Sequence, residues 1–494
     1  MGHQPPPQPQ LFYTGFSLEQ RVRSNHPLRK IAGMVDLDFA YVEVGERYGR
    51  NGNVSVPPPI ILKLMLLLVF YNVRSERELM ETLPERLDWL WFLGWDIDSE
   101  IPNHSVLSKA RKRWGVEVFQ RLFERVVWQC VEAGLVDGSK LFMDASLIEA
   151  NASNNSIVDR QSLGRYLRKG YQEFEKRLEE EETEDSDDDG KGEANHRYVS
   201  MTDPDAAVIR QRGAIKSKPR YKTHRVVDVA HEVITATEVT SGGVNEAHRL
   251  IPLIEAHRKN TGRSAEVVVA DSKYGTIENY LSCYDRGLKA HIPDLKNEQD
   301  QGIRRRGIYP TESFEYDAAS DTYRCPAGEV LKRRSLHKRI DAVYYAAPKK
   351  VCDACSLRSQ CTTSKSSREV KRHLRQEEVD GMRTEASSSS SRWDIHTRQH
   401  LMERSFAWAT RYGFKRMRYR RLWRACIQDY LIATIQNIRV LISRGIKPPK
   451  ACEAWISEGA CRKGLLRDLW ITFIHFSTRI LCDANLGPSH CSVI

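Results

Sequence analysis

A mostly apolar stretch over residues 140–151 surrounds one carboxylate, that of Asp144, with Leu, Phe, Met and Ile side chains. Apolar side chains at that density predict a β-strand with at least one covered face. A carboxylate in such a strand is costly to bury unless it is compensated. Asp144 is therefore expected to be protonated, paired with a cation or bound to a metal ion.

A second apolar run, Val267–Val269 followed by Ala270, leads directly to another carboxylate, Asp271. Three consecutive valines are typical of a strand buried on both faces, as in a parallel sheet. Ligands of open α/β sheets bind at the carboxyl ends of the strands, and hard cations such as Mg²⁺ take carboxylate oxygens. The two aspartates therefore predict a divalent metal site, and their mutual repulsion predicts a raised pKa for at least one of them without metal.

The elements around these strands predict an α/β protein with an RNase H-like mixed sheet. After the Asp144 strand, the pattern predicts a hairpin of strands over 223–229 and 233–239, a helix over 245–259, the Asp271 strand, a helix over 276–286 and a strand over 289–293. Three strands followed by helix, strand, helix and strand is the order of an RNase H-like sheet. An all-α region precedes this sheet and a cysteine-containing insertion interrupts it.

Changes in composition divide the chain further. We expect a disordered start over 1–15 and a helical region over 16–135. The first part of the catalytic domain is expected over 136–293, with an acidic insertion over about 160–215, and its last part over 396–445. A cysteine-bearing insertion over 294–395 separates the two parts, and a tail of unknown role follows over 446–494. The helical region is a candidate DNA-binding domain, and its alternative is a packing domain with one solvated charged helix. The acidic stretch is expected to be a charged helix that frays into a disordered loop rather than a metal-binding cluster.

Charge and cysteine usage narrow the class of partner and the compartment. The chain has 76 Lys and Arg against 65 Asp and Glu, a net charge of +11 that favours a polyanionic partner. The apolar run over 60–70 is too short to span a bilayer, and the Pro- and Gln-rich start does not look like a signal peptide, so no membrane partner is expected. Eleven irregularly spaced cysteines predict reduced cytosolic thiols, with one possible metal cluster, rather than a disulfide framework.

Four of these cysteines fall in the insertion, and two of them form a C-x2-C pair. They are Cys325, Cys352, Cys355 and Cys361. One interpretation is a tetrahedral Zn²⁺ site that holds a poorly hydrophobic segment together. The other is four reduced structural thiols, and the spacing alone does not choose between them.

A basic stretch after Glu403 contains no acidic residue as far as Arg424, and aromatic residues alternate with its cations. Cationic side chains bind phosphates and aromatic rings stack on exposed bases, so a nucleic-acid surface is one interpretation. The other is that the aromatics form the core stripe of a helix and the arginines are only solvated. Both can hold, and we expect a helix packed by its aromatics that presents arginines to DNA.

Several motifs in colinear order resemble those of a bacterial insertion-sequence transposase of the DDE class, in the subgroup with an amino-terminal helical domain and a cysteine-bearing insertion. The resemblance covers about residues 15–445 and rests on Ser75–Leu79, Pro102–Ser105, Phe142–Ser146, Tyr221–His224, Val269–Gly275, Arg398–Glu403 and Asp429–Ile438. It implies a DNA transposase that cleaves element ends and joins them to target DNA by metal-dependent phosphoryl transfer. A nuclease of the same fold and a non-catalytic DNA-binding derivative are the alternatives.

The resemblance also implies a set of site residues and partners. Asp144, Asp271 and Glu403 would bind Mg²⁺ or Mn²⁺ as the catalytic triad, and the DNA-binding residues would be Lys222, Lys273, Arg398, Arg411, Lys415, Arg416 and Arg418. The family usually has a Tyr, an Arg and a Lys or Arg at fixed offsets from the Glu, where this chain has His396, Gln399 and Thr410. The implied partner is double-stranded DNA, bound by a homodimer in the bacterial cytoplasm and nucleoid.

Three acids are candidates for the third carboxylate of the metal site, after Asp144 and Asp271. Glu149 lies roughly 16 Å from Asp144 along an extended strand, too far to share an ion. Asp394 follows a Ser-rich segment that we expect to be flexible and to position a ligand poorly. Glu403 lies in a helical pattern, so we expect a rigid helix to hold its carboxylate over the strand ends.

Overall fold

The computed structural model describes residues 17–48, 55–159, 197–210, 215–295 and 302–444. These residues belong to one compact unit that spans Met1–Lys447. The expected disordered start, most of the acidic insertion and the tail over 446–494 lie outside the described residues.

A mixed sheet forms the centre of the molecule. Its strands are β1 (Lys140–Glu149), β2 (Ile157–Asp159), β3 (Tyr198–Ser200), β4 (Ala207–Ile209), β5 (Lys218–Asp228), β6 (Ile234–Ser241), β7 (Val267–Val269) and β8 (Lys289–His291). The core order is β6-β5-β1-β7-β8, with β5 antiparallel to β1 and β6, and with β1, β7 and β8 parallel. This order confirms the predicted RNase H-like sheet. The short strands β2, β3 and β4, which the sequence did not predict, extend the sheet from the first residues of β5.

Helices cover both faces of this sheet, which explains the uninterrupted valines of β7. The helices that follow β6 are α9 (Leu250–Thr261), α10 (Ile277–Tyr284), α11 (Lys349–Asp353), α12 (Arg358–Cys361), α13 (Gln376–Ala386), α14 (Ser389–Thr410) and α15 (Leu422–Arg444). Phe142 and Val269 face α14 and α15, whereas Leu141 and Val268 face α9, α10 and α13 on the other side. The predicted helices over 245–259 and 276–286 correspond to α9 and α10.

The region before the sheet is helical, as predicted. Its helices are α1 (Leu18–Arg21), α2 (Pro27–Met34), α3 (Phe39–Val44), α4 (Pro58–Phe70), α5 (Glu76–Thr82), α6 (Leu87–Leu93), α7 (Ser105–Trp114) and α8 (Glu117–Glu132). It does not form a separate core, because Leu66 and Leu67 of α4 pack in one cluster with Ile435 and Ile438 of α15. In the basic helix α7, Arg111 is buried, paired with Glu76 and stacked on Tyr419, so it is not presented to a ligand.

A smaller antiparallel sheet forms the insertion. Its strands, in the order β13-β12-β11-β10-β9, are β9 (Glu315–Asp317), β10 (Thr322–Arg324), β11 (Val330–His337), β12 (Ala342–Ala346) and β13 (Glu369–His373). The chain returns to the central sheet immediately afterwards, because α13 packs against β8 and α10. The predicted boundary between residues 395 and 396 is therefore wrong, since it falls inside α14.

Residues 411–421, here called the basic linker, connect α14 to α15. The sequence predicted a helix here, and that prediction is wrong: Gly413 and Arg421 have φ angles of +87° and +77°, which turn the chain between the two helices. The linker pairs with the end of β1, where Glu149 N–H donates to the Lys415 carbonyl and Met417 N–H donates to the Glu149 carbonyl. The aromatic side chains Tyr412 and Phe414 point into the core, as expected.

Candidate active site

Two aspartates lie at matching levels of neighbouring parallel strands. In the register of β1 and β7, Phe142 pairs with Val269. Asp144 and Asp271 each follow these residues by two positions, which places both carboxylates on the face of the sheet that α14 covers. Asp271 comes just after β7 and accepts a hydrogen bond from the Lys273 N–H at 3.1 Å, which fixes a one-turn 3-10 helix over Ser272–Tyr274.

Both oxygens of Asp144 have partners. Oδ1 accepts from the Ala145 N–H at 2.8 Å and Oδ2 accepts from Arg398 Nη1 at 2.7 Å. Burial raises the pKa of the Asp144 carboxyl, Arg398 and the Ala145 N–H oppose that rise, and Glu246 adds to it. The Asp144 side chain keeps 26% of its surface exposed, so a ligand can reach it.

The pKa of Asp271 is raised to about 6. Burial is the largest cause, followed by repulsion from Asp144 and from Glu246, while Lys273 and Arg398 lower it. Two neighbouring carboxylates repel each other, so at least one of them is expected to have a raised pKa when no metal ion compensates their charge.

Glu246 is a third acid at this place, and the sequence did not single it out. It begins a 3-10 turn over Glu246–Arg249 after β6, with only 5% of its surface exposed. Lys273 Nζ donates to its two oxygens at 3.0 and 3.3 Å, and Lys222 Nζ lies 3.1 Å from Oε1. An acid in the first turn of a helix is common because it complements the helix dipole, so its position carried no signal of a site.

The hydroxyl of Tyr274 faces the same group of acids. Tyr274 is fully buried, and its Oη has no hydrogen-bond partner within the part of the chain that the structure describes. Burial raises the pKa of this phenol well above its usual value, and Glu246, Asp144 and Asp271 follow in that order as further causes. The negative charges of three carboxylates thus act on a buried hydroxyl that has no hydrogen-bond partner among the described residues.

Three polar contacts, made by two residues of α14, fix the rotation of this helix over the sheet. Asp394 accepts from Lys140 Nζ at 2.8 Å and lies 2.7 Å from His291 Nδ1, and Arg398 binds Asp144 one turn later. The expectation that Asp394 is flexible is therefore wrong, because it is buried in a regular helix. It nevertheless lies beside Lys140, four residues before Asp144 in β1 and thus roughly 13 Å along the strand.

Glu403 is not brought to the aspartates. An α-helix turns about 100° per residue, so Glu403, five residues after Arg398, is rotated from it by roughly 140° about the axis of α14. Its side chain is exposed and accepts a hydrogen bond from Gln399 Nε2 at 3.2 Å. Within the described residues, Glu403 does not join Asp144 and Asp271 in a group that could hold a metal as it stands, and its assignment as the third ligand stays a prediction.

The seven predicted DNA-binding cations divide into three groups. Lys222, Lys273 and Arg398 surround the acids, as described above. Arg411, Lys415 and Arg416 are exposed on the basic linker, where Arg411 stacks on Trp408 at 4.1 Å. Arg418 instead binds the Asn72 side chain and the Val73 carbonyl, so it ties the linker to the helical region and is a poor candidate for DNA contact.

The donor set of the site suits a hard cation. Carboxylate oxygens are the ligands that Mg²⁺ prefers, and the unpartnered Tyr274 hydroxyl leaves room for a polar ligand. Within the described residues, no three His, Cys, Asp or Glu side chains converge closely enough to hold a metal as they stand. The physical reason at this site is that Arg398, Lys222 and Lys273 already pair with the acids.

The four insertion cysteines lie at one end of the small sheet. All are free thiols, and all line one cavity of about 40 Å³. Burial raises the pKa of the Cys361 thiol, Arg368 lowers it, and the other three cysteines raise it further. As they stand, however, no three of these thiols converge closely enough to hold a metal ion.

An RNase H-like sheet with two aspartates at matching levels of neighbouring parallel strands is typical of enzymes of nucleic-acid phosphoryl transfer. Two family models match the sequence, a transposase domain (DUF772) over residues 16–113 and a transposase DDE domain over residues 324–442. The chain carries both a transposase domain and a transposase DDE domain, and together they support an insertion-sequence DDE transposase, an enzyme of metal-dependent DNA cleavage and transfer. The second match contains Glu403 but begins after Asp144 and Asp271.

Two further comparisons add little. The cryo-EM structure of the piggyBac transposase synaptic complex with hairpin DNA is similar over 92% of this chain and 80% of that chain, with 10% sequence identity and a TM-score of 0.34. A likeness of that size supports no conclusion. No curated protein matches the sequence. Among the described residues, no helix is long and apolar enough to cross a membrane.

Proposed function

We propose that the protein cleaves the ends of its insertion element and joins the freed 3′ hydroxyl groups to target DNA, with Asp144 and Asp271 as ligands of Mg²⁺ or Mn²⁺. The observation that carries this proposal is the alignment of the two aspartates on one face of neighbouring parallel strands. When bound, the ion stabilises charge on the phosphate oxygens and lowers the pKa of the attacking water or hydroxyl. Glu403, the third acid that the resemblance implies, is exposed on α14, and its role as a ligand stays a prediction.

Two cations beside the aspartates can bind the scissile phosphate. The Lys273 side chain is 61% exposed and Arg398 lies against Asp144. Fixed positive charges at this point stabilise the charge that develops on phosphate oxygens during transfer. Lys222, by contrast, is 11% exposed and also donates to the Val244 carbonyl at 2.9 Å, so it acts from within the protein.

The basic linker supports a path for the DNA duplex. Lys415 and Arg416 are exposed beside Glu149, the last residue of β1. That residue is roughly 16 Å from Asp144, the distance spanned by about five nucleotides of one strand. A single duplex can therefore reach the aspartates and the linker together, and the net charge of +11 favours its approach.

We further propose that a homodimer holds two element ends and that Cys325, Cys352, Cys355 and Cys361 bind one structural Zn²⁺. Four neighbouring thiols around a cavity large enough for one small occupant support the zinc site. The dimer rests on the family resemblance alone. The mass of the protein–DNA complex in solution tests the dimer. A complex that contains two DNA ends and one protein chain would refute it.

The test of the proposed function is a cleavage and joining assay on duplexes that carry the element ends, with Mg²⁺ and a target plasmid. Asp144→Asn and Asp271→Asn should each abolish cleavage and joining while leaving DNA binding nearly intact. Asp98→Asn is the matched control, since it makes the same change in an exposed turn and should leave activity unchanged. Cleavage without joined product would indicate a nuclease, and cleavage that survives both aspartate substitutions would refute the proposed site.

A further inference from the structure

The insertion presents a strongly basic β-hairpin, which consists of β11, β12 and the turn between them, residues 330–346, and is here called the basic hairpin. We propose that the basic hairpin is a second DNA-binding surface, which contacts phosphates of the duplex beyond those held at the aspartates and the basic linker. This inference rests on the proposed function, because it assumes that double-stranded DNA is the partner of the protein.

The first argument is charge. Residues 330–340 contain five cations and no acid, which gives this segment a formal charge of +5, against +11 for the whole chain. Four of the five are exposed and take part in no ion pair within the part of the chain that the structure describes. These four are Lys332, Arg334, Lys338 and Arg339, and the fifth, Arg333, lies 3.4 Å from Asp321. Cations held together without acidic partners attract a polyanion such as DNA.

The second argument is that the cations continue across the solvent face of the insertion sheet. Val343 of β12 is buried in the insertion core, so Tyr344 and Ala346 lie on the other face. The strand registers place Lys332 opposite Ala346 and Lys371 of β13 opposite Tyr344. Directly opposite residues of antiparallel strands share a face, so both lysines lie on the side turned away from the core, where both are exposed.

The third argument is shape. Lys332 and Lys338 are six residues apart along an extended strand, a distance of roughly 20 Å that corresponds to about six base pairs of a duplex. The neighbouring strand β10 pairs only with Val330–Lys332, so the rest of β11 has no strand on that side among the described residues. The hairpin therefore projects from the sheet and is long enough to contact several phosphates.

The competing explanation is that these cations only protect a free strand edge. Edge strands commonly carry charged side chains, which prevent pairing with another chain. The two explanations differ in whether the sign of the charge matters, because glutamate also protects an edge but repels a phosphate. A contact between two copies through the same hairpin is disfavoured, since a two-fold axis would bring like charges together.

The experiment measures the affinity of the full chain for fluorescent duplexes by anisotropy over a range of NaCl concentrations, without added Mg²⁺. The variant is Arg334→Gln/Lys338→Gln/Arg339→Gln, which changes the cations nearest the turn. We expect the slope of log affinity against log salt to flatten by about 2–3 units, because each phosphate contact contributes about 0.9. Phosphate contacts carry no sequence information, so the change should be the same on a duplex with an element end and on an unrelated duplex.

Two further variants separate charge sign from net charge. Arg258→Gln/Lys259→Gln/Arg286→Gln is the matched control, because it removes three charges from exposed residues of α9 and of the turn after α10, and it should leave the slope unchanged. Arg334→Glu/Lys338→Glu/Arg339→Glu keeps the edge charged and should weaken DNA binding more than the glutamine variant does. It also preserves the test if the glutamine variant aggregates.

The outcomes that would overturn the proposal are distinct. They are an unchanged slope in the glutamine variant, an equal flattening in the control, and wild-type DNA affinity in the glutamate variant. Unchanged DNA binding with lost binding of polyglutamate would instead assign the basic hairpin to an acidic protein. None of these measurements requires cleavage, so a wild-type protein that binds DNA but does not cleave it with Mg²⁺ would count against the proposed function alone.

Discussion

Arg398 pairs with Asp144, a proposed ligand of the metal, and replacing Arg398 by glutamine should therefore strengthen metal binding. The guanidinium of Arg398 donates to Asp144 Oδ2 at 2.7 Å. Two opposite charges about 4 Å apart attract by about 4 kcal/mol at an effective dielectric constant of about 20. The Asp144 side chain is 26% exposed, and screening by water reduces this to about 1–2 kcal/mol.

In Arg398→Gln, this attraction no longer competes with the ion. We expect Mn²⁺ to bind about 5–30-fold more tightly than to the wild type, the ratio that corresponds to about 1–2 kcal/mol. The assay is a titration with Mn²⁺, in which the free ion is measured by electron paramagnetic resonance, at pH 8, where Asp271, with its pKa of about 6, is ionised. DNA cleavage should fall in the same variant, because the cation proposed to bind the scissile phosphate is lost.

Arg404→Gln is the matched control on the same helix, since Arg404 is exposed and pairs with Glu232 at 2.9 Å, away from the acids. It should leave Mn²⁺ affinity unchanged. Equal or weaker Mn²⁺ binding in Arg398→Gln would refute the view that this arginine and the metal compete for Asp144.

Neutralising Lys415 and Arg416 together should flatten the slope of log DNA affinity against log salt by about 1–2 units, and an unchanged slope would exclude the linker from the DNA path. Cys352→Ser should remove the bound zinc measured by elemental analysis, and finding no zinc in the wild-type protein would leave four reduced thiols. Asp429→Asn should destabilise the chain by about 3–5 kcal/mol in urea unfolding, because it leaves the fully buried Arg225 without its counter-ion. Without metal, the free energy of unfolding of the wild type should fall relative to that of Asp271→Asn as pH rises from 5 to 7. The reason is that the pKa of Asp271 is about 6 in the folded protein, above its value of about 3.9 in the unfolded chain. The same pH dependence in both proteins would contradict this.

The central sheet could be predicted because its signals are local. Each strand is indicated by a pattern that lies within about ten residues. These patterns are the valines of β7, the apolar residues of β1 and the hairpin of β5 and β6. Gly262, with a φ angle of +68°, ends α9 where the sequence places a helix stop. The short strands β2, β3 and β4 could not be predicted, because they lie beside or inside the acidic stretch over about 160–215, whose composition favours a loop.

The return of the chain to the sheet after the insertion was missed because its determinants are distant. The serine run before α14 resembles a flexible loop, yet Ser388 Oγ accepts from the Ser391 N–H at 3.1 Å and caps the helix. Asp394 is fixed by Lys140, 254 residues away, and by His291, 103 residues away. No window of sequence contains these contacts.

The position of Glu403 relative to the aspartates could not be predicted for a related reason, because a family offset gives a position along a helix but not the rotation of that helix. Bringing Glu403 over the strand ends requires α14 to turn by roughly 140°, which takes Arg398 away from Asp144 and Asp394 away from Lys140. Leaving the buried Asp394 unpaired alone costs about 3–5 kcal/mol, comparable to a large part of the stability of a whole domain.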